Sequence, residues 1–365
     1  MKIWRVGGCV RDVMLGLEPK DIDYVVVGAT PEEMIEQGYV QVGADFPVFL
    51  KDGEEYALAR QERKTAPGYH GFETVFDPSI TLEDDLIRRD LSINSMAIDD
   101  ETGELIDPYG GRIDLAAKVL RHTSIAFAED PLRVLRVARF AARYNDFIVD
   151  SGTMSLMRVI VNKGELAHLA KERIYVEFEK AMSEKDPFRF LAMLAECGAL
   201  DKVFPELFLA DWMRIQNVLP KIPNAKARIA YLLIEAIGDV NHLAERMKIP
   251  NEIAQVAINV MRVQASVTGV NLIKELVDLF DFLKVSHSTE ALYEAVSLAG
   301  IIDHQYVYHA SLFVHGASAY RTVSFDSLSD EEKTTLKGKQ VGEALKKKRE
   351  RAVWETLYSA QGDKT

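Results

Sequence analysis

Asp21 and Asp23 stand on either side of an isoleucine, just ahead of the apolar run Tyr24-Val25-Val26-Val27. In an extended chain, residues two apart face the same way, so both carboxylates would converge. Such a pair repels itself unless a cation lies between, and hard oxygen ligands favour Mg2+. Alone, an Asp-x-Asp is more often a solvated turn or a salt-bridged strand end than a metal site. The preceding residues shift that balance. Gly7-Gly8 follow a short apolar run, and Cys9–Leu15 (CVRDVML) reads as a short helix stopped at Gly16. Glycines there let backbone N–H groups approach an anion closely, and a helix start adds positive potential. Arg11 falls in the first turn of that helix. The plain alternative is a tight turn needing positive φ. A phosphate cradle beside a two-carboxylate cation site is a coherent pair, and it suggests chemistry on a nucleoside triphosphate.

A second constellation is Glu129-Asp130-Pro131-Leu132-Arg133-Val134-Leu135-Arg136-Val137-Ala138-Arg139-Phe140. Pro131 suits the first helical position, with Asp130 as the N-cap. Capping alone would explain Asp130. The arginines are harder to dismiss. At ~100° per residue, Arg133, Arg136, Arg139 and Arg143 fall in a stripe about 120° wide, opposite Val134, Val137, Ala138, Ala141 and Ala142. Only Arg133 has an acid four residues earlier, so the usual helical ion pairs are missing. An arginine row without local partners expects phosphates. Between the two constellations runs DDLIRRDLSIN, residues 84–94. By itself this is a salt-bridge network, but next to a triphosphate Arg89 becomes a phosphate clamp candidate.

The elements that must hold these residues change character near residue 115. Before it, short β-rich runs (Ile3–Val6, Asp23–Val27, Tyr56–Ala59, Ser92–Ile98) alternate with turn-forming residues. A helix is expected from Pro31, capped by Thr30. Residues from Arg60 to Asp84 are turn-rich and poor in clear elements, as functional loops often are. After residue 115 the pattern is helical, as in Glu172–Ser183, Phe188–Glu196, Ala225–Ile237 and Glu252–Val263.

The 365 residues are 48% hydrophobic and 27% charged, which suits an ordinary water-soluble chain with room for several domains. No apolar run approaches the ~18 residues of a membrane span, so no membrane partner is expected. Gly7, Gly8, Arg11 and Asp12 interrupt any secretory h-region, and two cysteines without a CxxC fit a reducing compartment, so a cytoplasmic location is expected. The net charge of −12 argues against indiscriminate nucleic-acid binding, yet leaves room for a local basic surface. One such cluster is Lys346, Lys347, Lys348, Arg349 and Arg351, whose plain reading is a solvated helix face.

The ordered set VGGCVRD, KDIDYVVVG, EEYALARQERK, LEDDLIRRDLSIN, IDPYGG and EDPLRVLRVARFAARY resembles the bacterial-type (class II) CCA-adding tRNA nucleotidyltransferases, in the DNA polymerase beta-like nucleotidyltransferase superfamily. The resemblance is close over the first ~200 residues and returns in GKQVGEALKKKRERAVWE. It implies an α+β fold: a nucleotidyltransferase head with a small mixed or antiparallel sheet (1–115), then an all-helical neck with a nucleotide-selecting helix (116–195), then a helical body and tail for tRNA (196–365). It further implies that Asp21 and Asp23 are catalytic and hold Mg2+ ions, and that Gly8, Arg11 and Arg89 hold the nucleotide's phosphates and sugar. Asp130 and Arg133 would select the base of ATP or CTP, with Arg136 and Arg139 as further contacts. A third carboxylate is usual in the superfamily, and Glu55 is a guess for it. Arg60–Asp84 is the candidate for the mobile loop that helps set the order C, C, A. The partners implied are the tRNA 3′ acceptor end, ATP and CTP, with Lys346–Lys348 gripping the tRNA backbone and the chain acting as a monomer or homodimer.

Relatives of this head type often carry a C-terminal HD phosphohydrolase domain. This sequence has no His-Asp pair; Ile234-Glu235 stands where one is expected, which predicts no phosphohydrolase activity. Three rivals differ in outcome. A poly(A) polymerase typically has a more basic stretch in place of Val42–Phe49, and a CC-adding enzyme lacks the loop segment that begins here at Glu62–Lys64. A non-catalytic RNA- or nucleotide-binding module would have no need of both aspartates.

Overall fold

The computed structural model describes residues 1–42, 48–64 and 72–359. It divides into two compact units, Met1–Phe208 and Leu209–Thr365.

The first unit opens with β1 (Lys2–Val6), α1 (Gly8–Met14), β2 (Asp23–Val27), α2 (Pro31–Glu36), β3 (Val40–Val42), β4 (Val48–Lys51) and β5 (Glu54–Leu58). There follow β6 (Arg60–Lys64), β7 (Phe72–Phe76), α3 (Leu82–Ile87), β8 (Ala97–Asp99) and β9 (Leu105–Ile106). Seven of these strands form one sheet, in the order β3-β4-β5-β2-β1-β8-β9. Only β2 and β5 run parallel, with Asp23 opposite Glu55; the other pairs are antiparallel. Both faces of β2 are covered, which is why its sequence reads as an unbroken apolar run. Val25 packs with Val6, Leu82 and Leu86 on one face, and Val26 packs with Met34, Phe49 and Leu58 on the other. Thr30 caps α2 through a capping box with Glu33, as its position ahead of Pro31 predicts.

Two expectations about this region need correction. The run Ser92–Ile98 is not a continuous strand: Ser92–Asn94 form a 3-10 turn, and only β8 joins the sheet. The polar side chains explain the break. Asn94 Nδ2 donates to Asp90 Oδ1 (2.9 Å) and Ser92 Oγ to Asp114 Oδ2 (2.6 Å), alternatives that compete with a ladder. Nor is Arg60–Asp84 poor in structure. β6 and β7 pair as an antiparallel hairpin with Arg60 opposite Phe76, and Thr81 caps α3. Residues 65–71 of the expected mobile loop, and residues 43–47 of the stretch weighed against a poly(A) polymerase, lie outside the described residues.

The first unit continues with α4 (Gly111–Ala117), β10 (Val119–Leu120), α5 (Leu132–Arg143), β11 (Ile148–Val149), α6 (Ser151–Asn162), α7 (Lys171–Met182), α8 (Pro187–Glu196), α9 (Leu200–Val203) and α10 (Pro205–Phe208). Helix α5 is the central element here. Val134, Leu135, Val137, Ala138, Ala141 and Ala142 are all fully buried. Its alanines admit close neighbours, and at ~25 cal/mol per Å2 its apolar side is a large share of what holds this region together.

The second unit comprises α11 (Trp212–Val218), α12 (Ala225–Glu235), α13 (Val240–Met247), α14 (Asn251–Ser266), α15 (Leu272–Phe282), α16 (Glu290–Ile302), α17 (Gln305–Arg321), α18 (Asp330–Thr335) and α19 (Lys339–Ser359). Ile234-Glu235 end α12, where the Glu235 carboxylate pairs with Arg214 at 3.3 Å. Burial raises the pKa of Glu235, while Arg214 partly opposes the rise. No described helix is long and apolar enough to cross a membrane.

Candidate active site

Within the first unit, the ends of β1 and β2, the turn into α1, the segment after α3 and the arginine side of α5 line one cleft of about 740 Å3. Nine arginines and four carboxylates line it, a strongly positive excess in a chain whose net charge is −12. That focuses anion attraction where the whole-molecule charge would oppose it.

Seven expected nucleotide ligands, Gly8, Arg11, Arg89, Asp130, Arg133, Arg136 and Arg139, line this cleft together with Asp23. Asp21 is not part of the lining. It sits in a bend two residues before β2 rather than in the strand, so strand alternation does not aim it. Its charge nevertheless reaches Asp23. Surrounding protein raises the Asp23 pKa, Arg89 opposes the rise and Asp21 adds to it, even though solvent reaches the carboxylate across the open cleft. A carboxylate penalised by burial and by a second carboxylate is one that a divalent cation would favour, so these two residues fit such an ion. Glu55 shares the cleft wall with Asp23 through the β2–β5 register. Even so, no three His, Cys, Asp or Glu side chains among the described residues form a metal-ligand cluster.

The glycine turn works differently from a simple amide cradle. Gly7 has φ +75°, and its N–H is already donated to Met96 O at 3.1 Å. A Cβ at Gly7 would come within 2.8 Å of Arg89 Nη1, so the glycine makes room for a guanidinium. Helix α1 has only seven residues, and a helix end contributes ~0.3–1 kcal/mol. The arginines dominate the potential here.

Each of those arginines is held by an acid or by backbone oxygens. Arg11 forks onto Asp12 Oδ1 (2.9 and 2.8 Å) and donates to Asn94 Oδ1. Arg88 and Arg89 share buried Asp85, at 2.6 and 3.0 Å. Burial alone would raise the Asp85 pKa, but Arg89 and Arg88 together outweigh it and hold the carboxyl below its usual range. Arg136 pairs with Asp90 (2.6 Å), which drives the Arg136 pKa upward; burial would raise that of Asp90, but Arg136 and Asn94 hold it well below the usual range. Arg139 pairs with Glu177 on α7 (2.7 Å), and Arg143 with Asp12 (3.3 Å). The expectation of a stripe without partners thus holds along α5 and fails in three dimensions. The acids that meet the α5 arginines, Asp90, Glu177 and Asp12, come from distant segments, so helical spacing could not reveal them.

The base-selecting pair is also anchored. Helix α5 starts one residue later than expected, with Pro131 rather than Asp130 at the N-cap, and Asp130 Oδ1 accepts from Leu132 N–H (3.0 Å). Arg133 donates to Ala126 O (2.7 Å) and to Arg88 O. Sequence reading missed Arg60, Arg88, Asn94 and Arg173 as cleft residues. Arg88 was visible in the RRD run; Arg173, on α7, carries no spacing signal to α5. Lys346, Lys347 and Lys348 lie on α19 in the second unit.

An aspartate at the start of the central strand of a small mixed sheet, facing an arginine-lined cleft, fits a nucleotidyltransferase. Residues 3–121 match the Poly A polymerase head domain, and residues 146–210 match the family described as the probable RNA and SrmB-binding site of polymerase A. A CCA-adding enzyme of Pseudomonas entomophila is 43% identical over 95% of this chain and 96% of its own length. A CCA-adding enzyme of Coxiella burnetii is 46% identical over 78% of this chain and 76% of its own length. In fold, the chain is similar to the crystal structure of the Bacillus stearothermophilus CCA-adding enzyme in complex with CTP, with a TM-score of 0.70 at 23% identity over 100% of this chain and 90% of that one. The chain belongs to the family of CCA-adding tRNA nucleotidyltransferases.

Proposed function

We propose that this protein adds C, C and A to the 3′ end of tRNA from CTP and ATP without a nucleic-acid template, in the cytoplasm. In each cycle the tRNA 3′-oxygen bonds to the α-phosphorus, the bond to the departing pyrophosphate breaks, and the hydroxyl proton leaves. Asp21 and Asp23 would hold divalent cations, Mg2+ by the chemistry of the ligands, which when bound supply charge neutralisation and a more acidic hydroxyl. Arg11 and Arg89 take the triphosphate, and Gly8 leaves space for it. Asp130 accepts from cytosine N4 or adenine N6, and Arg133 donates to cytosine N3 or adenine N1. Uracil and guanine reverse both positions and would leave buried polar groups unpaired. Residues 1–115 then serve as the catalytic head and 116–195 as the selecting neck.

The observation that carries this reading is the shared cleft: Asp23 and the seven expected nucleotide ligands line a single wall-to-wall basic cavity. The test uses three tRNA transcripts, ending before the first C, between the two C residues, and before A. Each receives ATP, CTP, GTP or UTP separately with Mg2+. Ordered addition of C, C and A is expected, reduced at least ~1,000-fold in Asp21→Ala and Asp23→Ala. Addition of C alone would make this a CC-adding enzyme, and long A tails a poly(A) polymerase.

A further inference from the structure

Asp130 has a second anchor in the cleft, and it comes from another helix. Arg173, near the start of α7, donates from Nη2 to Asp130 Oδ2 at 2.8 Å. The other carboxylate oxygen, Oδ1, is tied to Leu132 N–H at 3.0 Å. One tether alone leaves a carboxylate free to turn about its own bond; two tethers on different oxygens fix its plane. Each oxygen keeps an unused lone-pair direction, so a base amine can still donate to Asp130 while both tethers stay in place. Both Asp130 and Arg173 line the cleft, with their side chains about one-quarter exposed.

We propose that Arg173 is the positioning residue for base choice: it fixes the Asp130 carboxylate so that Asp130 and Arg133 present one rigid acceptor–donor pair to the incoming base. This rests on the reading of Asp130 as a base-selecting residue. Discrimination between cytosine and uracil needs that pair to hold its geometry when the wrong base arrives. A carboxylate free to rotate would move away from the O4 of uracil at little cost and relieve the repulsion that rejects it. Arg133 is independently fixed, since its guanidinium donates to Ala126 O at 2.7 Å and to Arg88 O. Loss of Arg173 therefore loosens one half of the pair and leaves the other in place. The alternative role is a latch, in which Arg173 occupies Asp130 until a nucleotide displaces it. The two roles differ in sign: a latch lowers affinity for every nucleotide, whereas a positioning contact raises the preference for the correct one.

The test measures single-turnover kcat/KM for CTP and for UTP on a tRNA transcript ending before the first C, using the full chain and the variants Arg173→Met, Arg173→Lys and Asp130→Ala. The CTP:UTP ratio is internal to each preparation, so a partly folded variant does not distort it. Arg173→Met is expected to lower the ratio by about ten- to a hundredfold, the worth of one charge-assisted hydrogen bond. Arg173→Lys should restore part of it, because a point charge replaces one donor without the planar fork. An equal loss for CTP and UTP in Arg173→Met would make Arg173 merely structural, and a gain for both would make it a latch; either overturns the proposal. Asp130→Ala separates the two levels. An unchanged ratio in that variant would mean the base-selecting reading itself is wrong. A collapsed ratio there with an intact one in Arg173→Met would sink only the role of Arg173.

Discussion

The arginines of the cleft and the lysines of α19 both meet carboxylates, but in opposite settings. Asp85 is 1% exposed and takes two guanidinium groups at once. Lys346 pairs with Asp278 on α15 and Lys348 with Glu332 on α18 (3.2 Å), with each partner's side chain a third to a half exposed. Buried charges must be paired because leaving one partner alone carries a desolvation cost of several kcal/mol; exposed ones gain little because water screens them. A single type of contact thus holds the cleft rigid and barely matters to the tail. Basic runs that look alike in sequence differ in consequence because of where the chain buries their partners.

Substitution should expose that difference. Asp85→Ala removes the shared carboxylate from Arg88 and Arg89, and a loss of about 3–5 kcal/mol in unfolding free energy is expected from urea denaturation. A loss below about 1 kcal/mol would put the cleft network on a level with the tail. The pH dependence follows with the same sign. The folded-state pKa of Asp85 is depressed, so its stabilisation is complete above the ordinary aspartate value of 3.8 and is lost as pH falls through the lower folded value. Acid unfolding of Asp85→Asn should therefore show a flatter dependence below 3.8 than the parent protein, followed by circular dichroism. The smallest effects belong to α19. Asp278→Ala should cost ~0.2–1 kcal/mol, and added salt should erase the difference.

Lys347 sharpens the contrast further. It is exposed, and no ion pair with it is found among the described residues, whereas Lys346 and Lys348 are both engaged. If the tail grips an RNA backbone, Lys347→Ala should reduce the slope of log affinity against log salt by about 1, measured by filter binding with tRNA. Asp278→Ala, which removes an acid, should not reduce it.

Much of the site was legible because its chemistry is local. Gly7-Gly8, Asp21 with Asp23, and Asp130 with the arginine stripe each lie within one short segment, and along α5 spacing alone shows which arginines share a face. Thr30 and Pro31 announce α2 for the same reason: a cap is satisfied within four residues. The misreading of Ser92–Ile98 had the opposite cause. Its β-forming residues were outweighed by Asp90 and Asp114, the second of which lies 22 residues from the serine it accepts from.

By itself, the sequence determined the two-part character of the chain, the apolar strand behind Asp23, and Asp23 with seven nucleotide ligands among the residues that line the cleft, because periodicity and turn chemistry are properties of neighbouring residues. Only the tertiary structure decided what Asp130 and the arginines of α5 are paired with. Arg139 with Glu177, Arg143 with Asp12 and Asp130 with Arg173 join segments 38, 131 and 43 residues apart. Such pairs leave no mark in local spacing. They exist because a buried or half-buried charge must find its opposite, and the fold supplies it from whichever segment arrives there.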